Sequence, residues 1–130
     1  MAFKDEIRAL ISVAGLNLVR KVETIIPIAT LNLLYPDLSS DLQRATHLYM
    51  ARQCCEIGEV SGPNAVEALL EVCGHSTSPS QCHPHTIRAL FGSRLPDLVG
   101  DAEYFRNAVH RCKTDAEAQR DLDLLSYLFE

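Results

Sequence analysis

The sequence contains no tryptophan, few aromatic residues of any kind, and no surplus of basic side chains. Twelve Lys and Arg stand against seventeen Asp and Glu, which gives a formal net charge of −5. Proteins that bind duplex nucleic acid or membrane surfaces use a basic stripe or face to neutralise phosphates. The densest basic sites, Arg20-Lys21 and Arg111-Lys113, lie among acidic residues. We therefore expect neither nucleic acid nor a membrane as the partner.

Long apolar runs and a secretory signal are also missing. The longest apolar stretch, from Thr24 to Leu34, is interrupted by Pro27, Thr30 and Asn32 and is shorter than the roughly 20 residues of a membrane helix. Charged residues interrupt the amino terminus, where a signal peptide would be apolar. Five cysteines without such a signal predict reduced thiols and a cytoplasmic or nuclear protein.

Apolar residues recur at helical spacing along most of the chain. Phe3, Ile7, Leu10 and Ile11 predict an amphipathic first helix that ends near Gly15. Further helices are expected over 24–35, 40–52, 63–74, 86–91 and 101–112. A capping box at 114–117 opens a last helix. The sequence thus predicts an all-α, single-domain antiparallel bundle of six to seven short helices.

The first helical region has apolar residues on more than one side, at Leu16, Leu18, Val19 and Val22. A helix with this character is buried, either by the core of its own chain or by another chain. These four residues are the candidates for self-association as a homodimer. A dimeric helical regulatory protein of unrelated fold, cellular or viral, is therefore one alternative for the function.

A segment rich in cysteine and histidine is the sharpest candidate for chemistry. Cys73, His75, Cys82 and His85 lie close together in sequence and could hold zinc, which would give a zinc-stabilised helical domain. In Cys73-x-His75 and Cys82-His83-x-His85, one or no residue separates neighbouring ligands, which is less than a zinc knuckle uses, so we favour no metal and no cofactor. Cys54 and Cys82 are possible nucleophiles, but no histidine and orienting group accompany them in a recognisable pattern. We predict that the protein is not an enzyme.

Three segments resemble death effector domains, a branch of the death-fold superfamily. They are 37–43 (DLSSDLQ), 60–71 (VSGPNAVEALLE) and 87–99 (IRALFGSRLPDLV), which match an early acid, a Ser-Gly before a Leu-rich helix, and an Asp-Leu near the last helix. The resemblance covers about 24–112, with an extra helix in 1–23 and a carboxy-terminal helix in 113–130. It implies a six-helix core.

The resemblance also implies a function. Such a module would be a non-enzymatic adaptor or inhibitor in apoptosis or innate signalling that binds other death-fold proteins by homotypic contacts. The partner-binding surface would then consist of Asp41, Arg94, Asp97 and Leu98.

Overall fold

Two antiparallel sheets interrupt the helices, so the fold is α/β. The computed structural model describes residues 3–130. Short 3-10 helices lie at Pro79–Gln81 and Ser126–Phe129. The other elements, in chain order, are α1 (Lys4–Val13), β1 (Asn17–Ile25), α2 (Ile28–Leu34), α3 (Ser40–Met50), β2 (Cys54–Ser61), α4 (Ala65–Cys73), α5 (Ile87–Phe91), β3 (Asp97–Val99), β4 (Ala102–Tyr104) and α6 (Asp115–Leu125).

The longer sheet pairs β1 with β2, and alternate residue pairs face opposite layers of helices. Val22 lies opposite Ile57, and both contribute to an apolar cluster with residues of α2 and α6. The next pair, Glu23 and Glu56, faces α1, where these carboxylates form ion pairs with Lys4 and Arg8. The period of two along a strand places successive side chains on opposite faces. The sheet therefore separates two helical layers.

The prediction of an all-α bundle is wrong because the β1 and β2 segments are strands. The β1 segment is rich in β-branched residues, but charged residues interrupt both β1 and β2 and conceal the alternation. Arg20 and Glu59 lie opposite each other and form an ion pair of 2.7 Å across the strands. Such cross-strand pairs stabilise a sheet and cannot be recognised from one strand alone.

Most of the predicted helices are confirmed where their ends carry clear signals. Gly15 adopts a φ of +85° just after α1, and Thr86 caps α5 by accepting a hydrogen bond from the amide of Ala89. Thr114 accepts from Glu117 N at 3.1 Å, while the Glu117 carboxylate accepts from Lys113 N at 2.8 Å. These bonds satisfy amides that the first turn of a helix leaves free. The helical interpretation of 24–35 is correct only from Ile28 onwards.

The predicted helix over 101–112 is replaced by a hairpin and an irregular extended segment. The strands β3 and β4 pair antiparallel from Asp97 opposite Tyr104 to Val99 opposite Ala102. Tyr104 stacks on Tyr49 of α3, with ring centroids 5.0 Å apart. The resemblance to a death effector domain, with its six-helix core over 24–112, is therefore also wrong, since the strands β2, β3 and β4 fall within that range.

The four residues predicted to bind death-fold partners have local structural roles or lie exposed. The Asp41 carboxylate accepts hydrogen bonds from Arg44 and from the backbone amide of Asp101 at the hairpin turn. Asp97 forms an ion pair of 2.9 Å with Arg106. Arg94 and Leu98 are exposed. The structure therefore uses the two acids to hold the hairpin against α3 and the segment after it.

The four residues predicted for self-association precede or belong to β1 rather than a helix. Leu16 is buried, Val22 is partly buried, and Leu18 and Val19 are exposed. Leu18 lies beside Gly58, where an added Cβ atom would approach Cδ1 of Leu18 to 2.9 Å.

Among the helices of residues 3–130, none is long and apolar enough to cross a membrane.

Candidate functional site

The segment 106–112 is held between the hairpin and α6. Ser93 N donates to Arg106 O at 2.7 Å, and Arg106 N donates to Ser93 Oγ at 3.0 Å. These two hydrogen bonds close the base of the loop 94–105, which contains the hairpin. Ala108 then adopts a φ of +68°. This left-handed conformation is costly for a residue with a Cβ atom, and it concentrates at functional sites. It turns the backbone just before Val109 and His110.

Two buried arginines fix the segment through carbonyl oxygens. Arg88 of α5 donates to Val109 O from Nε (3.2 Å) and Nη2 (3.0 Å), and to Ser76 O from Nη1 (2.9 Å). Arg111 donates to Gly74 O from Nε (3.2 Å) and Nη2 (2.8 Å), and to His75 O at 3.0 Å. Neither guanidinium forms an ion pair within the described chain. Both positive charges are therefore left without a carboxylate partner.

His110 lies between an aromatic ring and a buried carboxylate. The Tyr35 ring meets the imidazole edge to face, with ring centroids 5.0 Å apart. Nε2 of His110 lies 3.7 Å from Oδ2 of Asp121, and the side chain of His110 keeps 44% of its exposure. The carboxylate therefore faces one ring nitrogen, and Nδ1 is the other nitrogen available for chemistry.

Asp121 comes from α6 and is oriented by two neighbours. Arg120 donates to its Oδ1 from Nε (3.1 Å) and Nη2 (3.0 Å), and the Cys112 thiol donates to its Oδ2 at 3.2 Å. Asp121 is buried, which is unusual for an acid unless it is paired. The carboxylate is thus fixed, with Oδ2 turned towards Cys112 and His110.

Desolvation and the buried arginines lower the pKa of the imidazole. Desolvation of the partly covered His110 ring lowers its pKa most, and the charges of Arg88 and Arg111 lower it further, while Asp121 acts in the opposite direction. Burial and the hydrogen bond to Asp121 raise the pKa of Cys112 to about 12, so its thiol stays protonated. Burial also raises the pKa of the Tyr35 hydroxyl. A site that disfavours an imidazolium through nearby cations favours an anionic ligand.

This arrangement suits nucleophilic catalysis by histidine. A nucleophile needs a free lone pair and a group that fixes its tautomer, and a carboxylate facing Nε2 places the proton there and leaves the lone pair on Nδ1. The guanidinium charges would stabilise negative charge on a substrate phosphate. The geometry thus fits attack on an anionic electrophile.

The two cysteines and two histidines that the sequence offers as zinc ligands, Cys73, His75, Cys82 and His85, are not brought together. Cys73 is fully buried in the apolar cluster of Ile7 and Ile87, and burial raises its pKa to about 11. His75 pairs with Glu71 on the surface, and the Cys82 thiol donates to backbone carbonyls. In the part of the chain that the structure describes, the one set of three ligand atoms within 4.8 Å of one another is His110, Cys112 and Asp121.

Sequence reasoning missed the central residues. The sequence predicts a helix over 101–112, and that prediction hides the grouping of His110 and Cys112 with Asp121 of the following helix. The available signal was the spacing of one residue between His110 and Cys112, because side chains two apart lie on the same side of an extended chain. The contribution of Asp121 depends on how α6 packs and has no local sequence signature.

Comparisons with known proteins agree with the α/β fold. The sequence profile of the family described as nucleoside diphosphate kinase matches residues 2–129. Compared by sequence with curated proteins, the chain matches none.

Solved structures of similar fold include kinases from three organisms. The nucleoside-diphosphate kinase of Borrelia burgdorferi, solved as a transition state mimic with bound vanadate and ADP, has a TM-score of 0.77 and 17% identity over 92% of this chain and 75% of that chain. The Aquifex aeolicus nucleoside diphosphate kinase has a TM-score of 0.76 and 17% identity, covering 95% and 83% of the two chains. An NDP kinase from Pyrobaculum aerophilum has a TM-score of 0.75 and 22% identity, covering 95% and 86%.

These findings correct the functional predictions made from sequence. The matched family is one of kinases, so the prediction of a non-enzymatic adaptor or inhibitor in apoptosis is wrong. The two alternatives, a dimeric helical regulator of unrelated fold and a zinc-stabilised helical domain, are not supported either. The match extends over nearly the whole sequence. The chain belongs to the nucleoside diphosphate kinase family.

Proposed function

We propose that this chain transfers a phosphoryl group to a nucleoside diphosphate, with His110 as the transient acceptor. The observation that carries this proposal is an imidazole whose Nε2 faces the buried Asp121, beside two buried guanidiniums that lack carboxylate partners in the described chain. The family match supports the substrate class. The structural relative from Borrelia burgdorferi, crystallised with vanadate and ADP, is consistent with a phosphate and a nucleotide at this kind of site.

The reaction has two balanced steps. Nδ1 of His110 attacks the terminal phosphorus of a nucleoside triphosphate, so a nitrogen–phosphorus bond forms while the bond to the bridging oxygen breaks and a nucleoside diphosphate leaves. A terminal oxygen of a second nucleoside diphosphate then attacks the same phosphorus and releases the histidine. Asp121 holds the proton on Nε2 throughout, and it stabilises the positive charge that the ring acquires on phosphorylation.

In this reaction Arg88 and Arg111 contribute positive charge near the transferred phosphoryl group, and neither pairs with a carboxylate of the described chain. A guanidinium has five N–H donors, and Nη1 of Arg111 forms no hydrogen bond within residues 3–130. Stabilisation of the charge on a transferring phosphoryl group by such cations supplies a large share of catalysis.

Substitution of the proposed acceptor tests the function. We expect His110→Gln to abolish both transfer from ATP to a nucleoside diphosphate and the acid-labile phosphate that forms on the protein with ATP alone. His85→Gln, in the exposed loop before α5, is the matched control and should leave both intact. Transfer by His110→Gln at the wild-type rate, or labelling that persists in it, would refute the proposal.

Self-association through β1 is a second proposal. The exposed Leu18 and Val19 lie on the strand whose outer edge has no pairing partner in the described structure, and edge strands of this kind pair with other chains. Location in the cytoplasm or nucleus and the absence of a cofactor stay predictions.

A further inference from the structure

Three side chains of different type converge beside the proposed phosphate acceptor. Sγ of Cys112 lies 3.2 Å and Nε2 of His110 lies 3.7 Å from the same Oδ2 of Asp121, and all three atoms lie within 4.8 Å of one another. Zinc bonds of ~2.0–2.3 Å in a tetrahedron separate the ligand atoms by roughly 3.3–3.8 Å. Two of the three spacings are therefore close to those of an occupied site.

The backbone and a neighbouring arginine hold these ligands in place. His110 and Cys112 are two residues apart in an irregular segment, and Nε2 of one and Sγ of the other both face Oδ2 of Asp121. Arg120 binds only Oδ1 of Asp121, so Oδ2 remains directed at the other two ligands. Hydrogen bonds that orient a ligand in this way are typical of built metal sites.

We propose that His110, Cys112 and Asp121 form a zinc site with three protein ligands and an open fourth position. The imidazole and thiol select zinc over magnesium or calcium, which prefer oxygen ligands. One thiolate and one carboxylate balance the charge of the ion. Binding releases the Cys112 thiol proton to solvent.

Zinc at this position would switch off phosphoryl transfer, a consequence that rests on the proposed function. A metal on Nε2 of His110 occupies the nitrogen that otherwise carries the proton. The neutral ring then carries its proton on Nδ1, which no longer has a lone pair with which to attack phosphorus. The same three residues thus support two mutually exclusive states.

Cobalt substitution tests the site without reference to activity. Titration of the metal-free, reduced protein with Co²⁺ should give a thiolate-to-cobalt charge-transfer band that saturates at one equivalent, and Zn²⁺ should displace it. Cys112→Ser should lose this band and bind about ten-fold or more weakly. Cys54→Ser, at an exposed cysteine on β2, should retain it. No band in the wild type, or a band that survives in Cys112→Ser, would overturn the proposal.

A measurement on the wild type covers the case in which the variant fails to fold. In weakly buffered solution near neutral pH, one equivalent of Zn²⁺ should release one proton per wild-type protein, because the Cys112 thiol is protonated before it binds the metal. Zinc binding without proton release would exclude a Cys112 thiolate ligand and with it the site, whatever the phosphotransfer assay shows. Zinc binding without any phosphotransfer activity would instead leave the site standing and count against the proposed function.

Discussion

At the scale of single residues, the site depends on one carboxylate that serves several neighbours. Asp121 accepts from Arg120 and Cys112 and faces Nε2 of His110, yet it is nearly inaccessible to solvent. A buried acid is stable only when its oxygens are satisfied, which is the case here. The same contacts therefore both stabilise α6 against the His110 segment and set the tautomer of the ring.

Removal of the Asp121 charge should separate these two roles. Asp121→Asn retains the size and one acceptor oxygen, but its amide cannot hold the Nε2 proton as a carboxylate does. We expect phosphoryl transfer to fall by about 10²–10⁴-fold, since a general base or its orienting group contributes about that much. The kcat for transfer to a nucleoside diphosphate measures this. A rate within two-fold of the wild type would show that Asp121 does not orient His110.

Ala108 bears the cost of a left-handed backbone, at a φ of +68°. Ala108→Gly should raise the free energy of unfolding by up to about 1 kcal/mol, because glycine adopts this conformation without strain. The control is Ala29→Gly in α2, where the backbone is helical and the same substitution should lower stability by roughly 0.5–1 kcal/mol. Urea denaturation measures both, and a loss of stability in Ala108→Gly would contradict the strain.

At the scale of elements, helices whose ends carry local signals could be predicted from the sequence, whereas strands that depend on a distant partner could not. The helices α1, α4, α5 and α6 could be predicted because caps and glycine stops are local: Thr86, Thr114 and Gly15 mark their ends. The strand β1 could not, because Arg20 and Lys21 break its alternation, and Glu59, which pairs with Arg20, lies on β2, about 40 residues later. The His110 site could be predicted only in part, since Tyr35, Arg88 and Asp121 approach His110 through tertiary packing that leaves no local sequence signature.

The amino-terminal cap of α6 should affect stability and the site together. Thr114→Ala removes the acceptor for Glu117 N and should cost about 1 kcal/mol of unfolding free energy. Because α6 carries Asp121, transfer should fall as well at temperatures where the first turn frays. Thr114→Ser retains the hydroxyl oxygen and should behave as wild type. Equal urea midpoints for the alanine variant and the wild type would show that this cap contributes nothing.

At the scale of the whole molecule, α1 is joined to the sheet by charge as well as by packing. Lys4 and Arg8 form ion pairs with Glu23 and Glu56 on neighbouring strands. The hydrogen bond and charge of Lys4 lower the pKa of Glu23, whereas slight desolvation opposes them. A carboxyl with a lowered pKa in the folded state contributes stability above its unfolded pKa and loses it as the pH falls through the folded value.

The pH dependence of unfolding tests the pair between α1 and β1. Lys4→Gln should be less stable than the wild type near pH 7, and this difference should shrink as the pH falls below about 4.5 and Glu23 becomes protonated. Lys21→Gln, at an exposed position on the strand that carries Glu23, should show no such dependence of its stability difference on pH. Thermal unfolding between pH 3 and 7 measures both. A constant difference across this range would exclude the ion pair as its cause.

Self-association belongs to the same scale. Val19→Lys places a charge on the exposed part of β1 and should shift an oligomer towards monomer in light scattering at tens of micromolar, because charges on an edge strand oppose edge pairing. Val13→Lys, on the exposed surface of α1, is the matched control and should not. A wild-type protein that is already monomeric at this concentration would exclude self-association through β1.

The two hydrogen bonds between Ser93 and Arg106 have a consequence for engineering. Because they join the two ends of the loop 94–105, the length of this loop does not set the position of His110. Lengthening such a loop two-fold costs only about 0.6 kcal/mol in closure entropy. A peptide tag inserted between the exposed Arg94 and Leu95, outside the contacts of the hairpin with α3 and Arg106, should therefore leave the residues beyond 106 in their places.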